Sequence, residues 1–307
     1  MTTGDRSDSA PQPDATEPIE PVEATELVEL AGRVRLRAVH HGRNGTERLR
    51  FVLVHGLASN ARLWDGVADA LAGGGHRSVA IDLRGHGRSD KPDGPYDVAT
   101  VADDLAALCR AVGAERPVLV GQSWGGNVVL EAARRHPELA AGVVCVDGGW
   151  IHLRDRFADW DACAAALAPP QLAGTPLGRI EAWLADSFPH WPATGVAGTL
   201  ANFEILADGT VRPWLDRERH LGVLAGLWDH QPRSFYRELD VPVLLVPAAS
   251  GLDDSHAVDK AARVDEAASM LPRARVRWFG PPADHDVHAQ FPDELAAELA
   301  SFAAELT

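Results

Sequence analysis

Short runs of branched apolar residues recur along the chain, separated by stretches with a different spacing. "RFVLVHG" (50–56), "RSVAI" (77–81), "PVLVGQ" (117–122), "GVVCVDGG" (142–149) and "VPVLLVP" (241–247) are apolar almost throughout. Such runs predict strands covered on both faces. Between them, "NARLWDGVADALAGG", "DVATVADDLAALCRAVG" and the segment from about Gly125 to His136 place apolar residues three and four apart, which predicts amphipathic helices. The second of these has Asp97 at its expected N-cap and Gly113 at its stop. After "VPVLLVP", the stretches "HAVDKAARVDEAASMLP", "ARVRWFG" and "PDELAAELASFAAEL" read as helix, strand, helix. Ahead of all these, "ELVELAG" and "RVRLRAVHHG" alternate in polarity and predict an antiparallel pair joined near Gly32. Fully apolar strands alternating with helices predict an α/β fold, a mostly parallel twisted sheet with helices on both faces.

One segment breaks this rhythm. Residues 150–237 show no strand pattern, several helix-like pieces and repeated proline breaks. Six of the nine tryptophans fall there: Trp150, Trp160, Trp183, Trp191, Trp214 and Trp228. The expectation is a helical cap over 150–237, inserted into a core made of residues 27–149 and 238–307. Residues 1–26 are acidic and proline-rich and are expected to be disordered. They contain no apolar stretch of the kind a signal peptide carries. No window approaches the roughly 20 apolar residues of a membrane span.

Composition narrows the chemistry. A formal charge of −15 argues against a nucleic-acid partner, which needs a basic face. Cys109, Cys145 and Cys163 have no metal-ligand or CxxC spacing; two of them lie inside apolar helix or strand patterns and read as buried free thiols, which points to a reducing, cytoplasmic compartment. No metal or organic cofactor is implied. The expected partner is a small-molecule substrate, and the oligomeric state is not readable.

The chemistry centres on Gly121-Gln122-Ser123-Trp124-Gly125. This is a G-x-S-x-G sequence with a strand before it and a helix after it, the context that presents a serine at a strained corner. Flanking glycines let the backbone fold tightly there, and the helix N-terminus favours developing negative charge. A serine needs a base. Of the 13 histidines, His285 lies in the loop between the last apolar strand and the final helix, where it can reach the same sheet edge. His288 is the competitor. The base needs an orienting carboxylate: Asp253 and Asp254 follow "VPVLLVP", and Asp147 ends "GVVCVDGG". An oxyanion hole needs two backbone N–H groups, for which Trp124 and Leu57 are the candidates. His55 is read as a pin for the Leu57 loop, and the loop "DLRGHGRSD" with His86 as architectural.

"HGLASN", "DLRGHGRSD", "GQSWGG" and "DHDVHAQFP", taken with the order of elements over residues 27 to 305, resemble the α/β-hydrolase superfamily, in particular the group with a helical cap after the sixth strand. The resemblance implies the chain order Ser, acid, His, with Ser123 as nucleophile and His285 as base. His285 stands seven residues before Pro292, a spacing often seen in the family. Epoxide hydrolases and haloalkane dehalogenases carry G-x-D-W-G-G, with an aspartate where this chain has Ser123, so an alkyl-enzyme ester is not expected. The family acid usually lies four or five residues past the seventh strand; that place here reads "PAASG", and the first aspartate is Asp253. Some relatives carry the acid after the sixth strand, which is Asp147. Asp253 is the first choice and Asp147 the alternative.

These residues together predict a serine hydrolase that forms an acyl-enzyme on Ser123 from an ester, lactone or thioester. Tryptophans 150, 183, 191 and 214 are expected to line a bulky apolar or aromatic pocket. Carbon–carbon hydrolysis, amide or peptide cleavage and cofactor-free perhydrolysis use the same machinery. A non-catalytic ligand-binding protein and a cyclase or lyase on the same fold are the readings from another class.

Overall fold

A computed structural model of the protein describes residues 24–31, 34–42, 49–249 and 254–306. In chain order the first half runs β1 (Ala24–Glu29), β2 (Arg35–His41), β3 (Leu49–Val54), α1 (Asp65–Gly73), β4 (Arg77–Ile81), α2 (Val98–Ala111), β5 (Val118–Gln122), α3 (Trp124–Arg135) and β6 (Gly142–Val146). An inserted segment follows, with α4 (Trp160–Leu167), β7 (Thr175–Pro176), α5 (Leu177–Ser187), α6 (Ala193–Leu200), β8 (Phe203–Ile205), β9 (Thr210–Pro213) and α7 (Arg217–Asp229). The chain closes with β10 (Val243–Val246), α8 (Asp254–Met270), β11 (Ala274–Val276), α9 (Val287–Gln290) and α10 (Pro292–Ala304).

Eight strands form one sheet in the order β1-β2-β4-β3-β5-β6-β10-β11. β1 with β2 and β2 with β4 are antiparallel; all other neighbours are parallel. The apolar runs explain why both faces are covered, because successive side chains point to opposite sides. Val118 and Val120 of β5, Val144 and Val146 of β6, and Leu244 and Val246 of β10 pack under α1 and α10 with Leu71, Leu299 and Phe302. Their neighbours Leu119, Val143, Cys145, Val243 and Leu245 pack on the other face with Leu105 and Leu108 of α2, Val128 and Val129 of α3, and Val264 of α8. Asp97 caps α2 by accepting from the Thr100 amide at 2.8 Å. The fold is thus a mostly parallel sheet between two helical layers. No helix among the described residues is long and apolar enough to cross a membrane.

Two expectations need correction. The strand order begins at Ala24, where β1 pairs with His40 of β2, so residues 24–26 belong to the sheet rather than to a disordered tail. Polar residues conceal the start of this strand because β1 is an edge and most of its side chains face solvent. The turn at Gly32 lies outside the described residues. The inserted segment is not helical throughout, since β7, β9 and β8 form a three-stranded antiparallel sheet. These strands are two to four residues long, too short for any periodicity to register.

Candidate active site

Parallel strands put their C-terminal ends on one edge of the sheet, and the loops leaving β3, β5, β6 and β10 gather there. Ser123 sits between β5 and α3 with φ 52° and ψ −121°, a conformation that L residues rarely adopt. The strain is held from below by the Ser123 amide, which donates to the Val146 carbonyl at 2.8 Å. Sterics explain the flanking glycines. A Cβ on Gly121 would stand 2.1 Å from the carbonyl oxygen of Gly125, and one on Gly125 would stand 2.5 Å from that of His55. Both obstacles are backbone atoms, one in the first turn of α3 and one just past the end of β3, so they cannot turn aside. Gly121→Ala is expected to destabilise the fold by about 3 kcal/mol, read as a fall in the urea midpoint. A midpoint unchanged from wild type would show that the corner has room to relax.

The base and its carboxylate stand 138 residues apart in the chain. Nδ1 of His285 donates to Oδ2 of Asp147 at 2.6 Å. Asp147 follows β6, has φ 42° and is 5% exposed. Its amide donates to the Val246 carbonyl at 2.8 Å, which ties it to β10. Its carboxylate also accepts from the Ala248 amide at 3.0 Å and from the Lys260 ammonium at 2.8 and 2.9 Å. Burial alone would raise the Asp147 pKa, but the His285 bond and charge and the Lys260 ammonium outweigh it, and the carboxyl lies below its ordinary range. For His285, desolvation works downward, while the bond and charge of Asp147 and the charge of Asp286 raise its pKa above the ordinary 6.5. Asp253 lies outside the described residues.

The supporting loops are braced by side chains. Gln122 reaches across to donate to the His285 carbonyl at 3.1 Å. Asn127 of α3 donates to the Ile151 carbonyl and accepts from the Gly149 amide, both at 3.1 Å, which holds the loop that carries Asp147. Tyr236 adds a bond to the Gly149 carbonyl at 2.8 Å. His55 is fully buried: Nδ1 donates to the Gly56 carbonyl at 2.7 Å and Nε2 accepts from the Leu83 amide at 3.0 Å. Desolvation lowers its pKa to about 4, consistent with a neutral ring fixing the turn before Leu57. His86 is also buried and stacks on the Trp124 ring at 5.4 Å. His288 points into the core against Trp64, at 4.5 Å between ring centroids, and desolvation pushes its pKa down to about 3. His288 is therefore placed away from the cavity that His285 faces.

Ser123 and His285 line two adjoining cavities. The larger, about 660 Å³, includes Leu57, Trp124, Asp147 and Trp150, is walled by Leu167, Leu224 and Leu227 from α4 and α7, and has Arg156, Lys260 and Arg263 on its boundary. The smaller, about 150 Å³, runs past Leu57 and Gln122 to Phe188 and Trp191. Trp124 opens α3, so its amide has no carbonyl four residues back within the helix. Of the four tryptophans expected in the pocket, Trp150 and Trp191 meet Ser123's cavities. Trp183 instead lies half-exposed on α5, edge-on to Phe188. Trp214 lines a separate cleft with Arg37 and Arg88. Helical spacing puts a tryptophan on a face, but which face meets the cavity depends on how the inserted segment packs. Gln122, Asn127 and Lys260 were not singled out from the sequence, because their partners are distant in the chain. Among the described residues no group of three or more His, Cys, Asp or Glu is placed to hold a metal ion.

Known proteins share this frame. A non-heme chloroperoxidase of Streptomyces lividans is 28% identical over 278 residues, 83% of this chain and 91% of that protein. The 2-(acetamidomethylene)succinate hydrolase of Mesorhizobium japonicum is 29% identical over 276 residues, 88% of this chain and 92% of the relative. A crystal structure of E-2-(acetamidomethylene)succinate hydrolase superposes with a TM-score of 0.75 at 26% identity, covering 92% of this chain and 99% of that one. The family model of the alpha/beta hydrolase fold matches residues 50–203, half of the chain, from β3 to the first residue of β8 and through the serine corner. The chain therefore belongs to the α/β-hydrolase fold family and is, at that level, a hydrolase.

Proposed function

We propose that the protein cleaves an ester, lactone or thioester of a bulky, largely apolar small molecule through an acyl-enzyme on Ser123. His285 takes the Ser123 proton as the hydroxyl attacks the carbonyl, and Asp147 holds the imidazole and offsets its charge. The Leu57 and Trp124 amides receive the oxyanion. The imidazolium gives that proton to the departing alcohol or thiol as its bond to the acyl carbon breaks, which leaves the acyl-enzyme and a neutral His285. Water, deprotonated by that histidine, then attacks the acyl carbon, and the proton returns to Ser123 as the acid is released. The observation that carries this reading is the hydrogen bond from His285 to the buried Asp147 carboxylate, with the imidazole lining the same cavities as a serine held at positive φ. A fluorophosphonate probe with intact-mass readout tests it: one adduct is expected on the wild-type protein. A folded protein that takes no adduct would overturn the acyl-enzyme.

A second reading follows from the cavity wall. The relative from Mesorhizobium japonicum is named for a substrate with an amide and two carboxyl groups, and Arg156 and Arg263 border the larger cavity here. Amide cleavage in a carboxylate-bearing substrate therefore competes with cleavage of a neutral ester. Comparing kcat/KM for the two substrate types, each at equal acyl length, separates them.

The pH dependence follows from His285. The base must be neutral to accept the serine proton, and its pKa is raised above 6.5. Activity is therefore lost as pH falls through that raised value. The acidic limb of kcat/KM is expected to have its midpoint above pH 6.5, and a midpoint below it would mean another group sets the limb.

A further inference from the structure

We infer that Lys260 is a positioning residue for the reaction, one that fixes the Asp147 carboxylate and sets the basicity of His285 from α8. This rests on the Ser123–His285–Asp147 reading above. Lys260 Nζ donates to Oδ1 of Asp147 at 2.8 Å, to Oδ2 at 2.9 Å and to the Ala248 carbonyl at 3.0 Å. All three ammonium protons are thus committed to the loops that leave β6 and β10, and none is left to serve as a solvated surface charge. The side chain is 17% exposed, so the ion pair is only weakly screened by water.

The choice of lysine is informative. Lys91 and Lys260 are the two lysines in the chain, against 27 arginines. A planar guanidinium grips one carboxylate edge with parallel N–H groups. It cannot converge three donors from a single point onto two carboxylate oxygens and a separate carbonyl. An ammonium can, because its three protons point to the corners of a tetrahedron.

The consequence for His285 is electrostatic. The imidazole is faced by Asp147 from the end of β6, Asp286 from its own loop and Lys260 from α8, with His288 behind it on α9. The two carboxylates favour the imidazolium; the Lys260 ammonium opposes it. On α8 itself, Asp259 and Arg263 also line the cavity and pair with each other. Lys260 therefore limits how far Asp147 can raise its partner's pKa, which keeps the base neutral over more of the working range. It also stops the carboxylate from swinging off Nδ1, since Oδ1 is held while Oδ2 receives the histidine.

Three variants test this, with melting temperature recorded for each. Lys260→Met is expected to move the acidic limb of kcat/KM upward by about one pH unit and to lower kcat about tenfold or more. Lys260→Arg keeps the charge and should leave the limb near its wild-type position while kcat still falls. Should Lys260→Met not fold, Lys260→Gln removes the charge and keeps a donor, and the same upward shift is expected. The His285 ring titration, followed by NMR in the Ser123→Ala background, must shift upward in the charge-removing variant without any turnover. A limb and a ring titration both unmoved on removal of the charge overturn the proposal, even where stability falls. Failure of the underlying triad shows differently, as retained activity in Ser123→Ala.

Discussion

Ser123→Ala is expected to lose the fluorophosphonate adduct altogether and to reduce kcat on p-nitrophenyl butyrate by about 10⁵-fold or more, with the fold intact. The size of the effect comes from the covalent route. Without Oγ no acyl-enzyme forms, and what remains is water attack on a bound ester, helped only by the oxyanion donors and by binding. The fold should tolerate the change, because alanine fits the same corner and the Ser123 amide still donates to the Val146 carbonyl. Retained labelling would mean that another nucleophile carries the probe. Retained turnover would move the protein to direct hydration or to one of the cyclase-like chemistries. His285→Ala should lose the adduct as well, because the hydroxyl is then not activated.

The second large effect is at the carboxylate. Asp147→Asn is expected to lower kcat by about 10³–10⁴-fold, whereas Asp253→Asn should change it by about twofold or less. Asparagine keeps the shape but presents an amide where Nδ1–H of His285 needs an acceptor, so the ring turns or adopts the other tautomer. The substitution also leaves the Lys260 ammonium facing an uncharged group in a poorly solvated place, and a loss of stability should accompany the loss of rate. The two effects separate by measurement: a urea midpoint reports the ion pair, and kcat under native conditions reports the histidine. If Asp253→Asn carries the large loss instead, the acid comes from the loop after β10 and the Asp147–His285 bond is only structural.

Much of the frame was legible from local pattern. The apolar runs at 50–56, 117–122, 142–149 and 241–247 became β3, β5, β6 and β10, since a strand buried on both faces needs apolar residues at successive positions. The serine corner was legible for a related reason. Its requirements are a strand, small neighbours and a helix start, all within a dozen residues of Ser123. His285 could be nominated from its loop between the last strand and the last helix, which reaches that sheet edge, while His288 stayed a competitor until the packing placed it against Trp64. Only the first residues of β1, Ala24 to Glu26, were assigned to the tail, as the start of an edge strand presents mostly polar residues.

The carboxylate was beyond such reasoning. Asp147 and Asp253 each follow an apolar strand, and both strands end at the same edge, so local pattern treats them alike. Asp147 and His285 are 138 residues apart, and their meeting depends on β6 pairing with β10 and on the loop braced by Gln122 and Gln290. Lys260 reaches Asp147 only because α8 packs back over that sheet edge. The tryptophans of the inserted segment divided for the same kind of reason: Trp150 and Trp191 met the cavities, and Trp183 faced solvent, according to how α4 to α7 settled on the core. By itself the sequence determined the sheet, the helices and the strained serine, because each is specified by neighbours along the chain. The tertiary structure decided which carboxylate His285 meets, the lysine bound to that carboxylate and the shape of the pocket, because those depend on side chains that only the closed sheet brings within hydrogen-bonding distance.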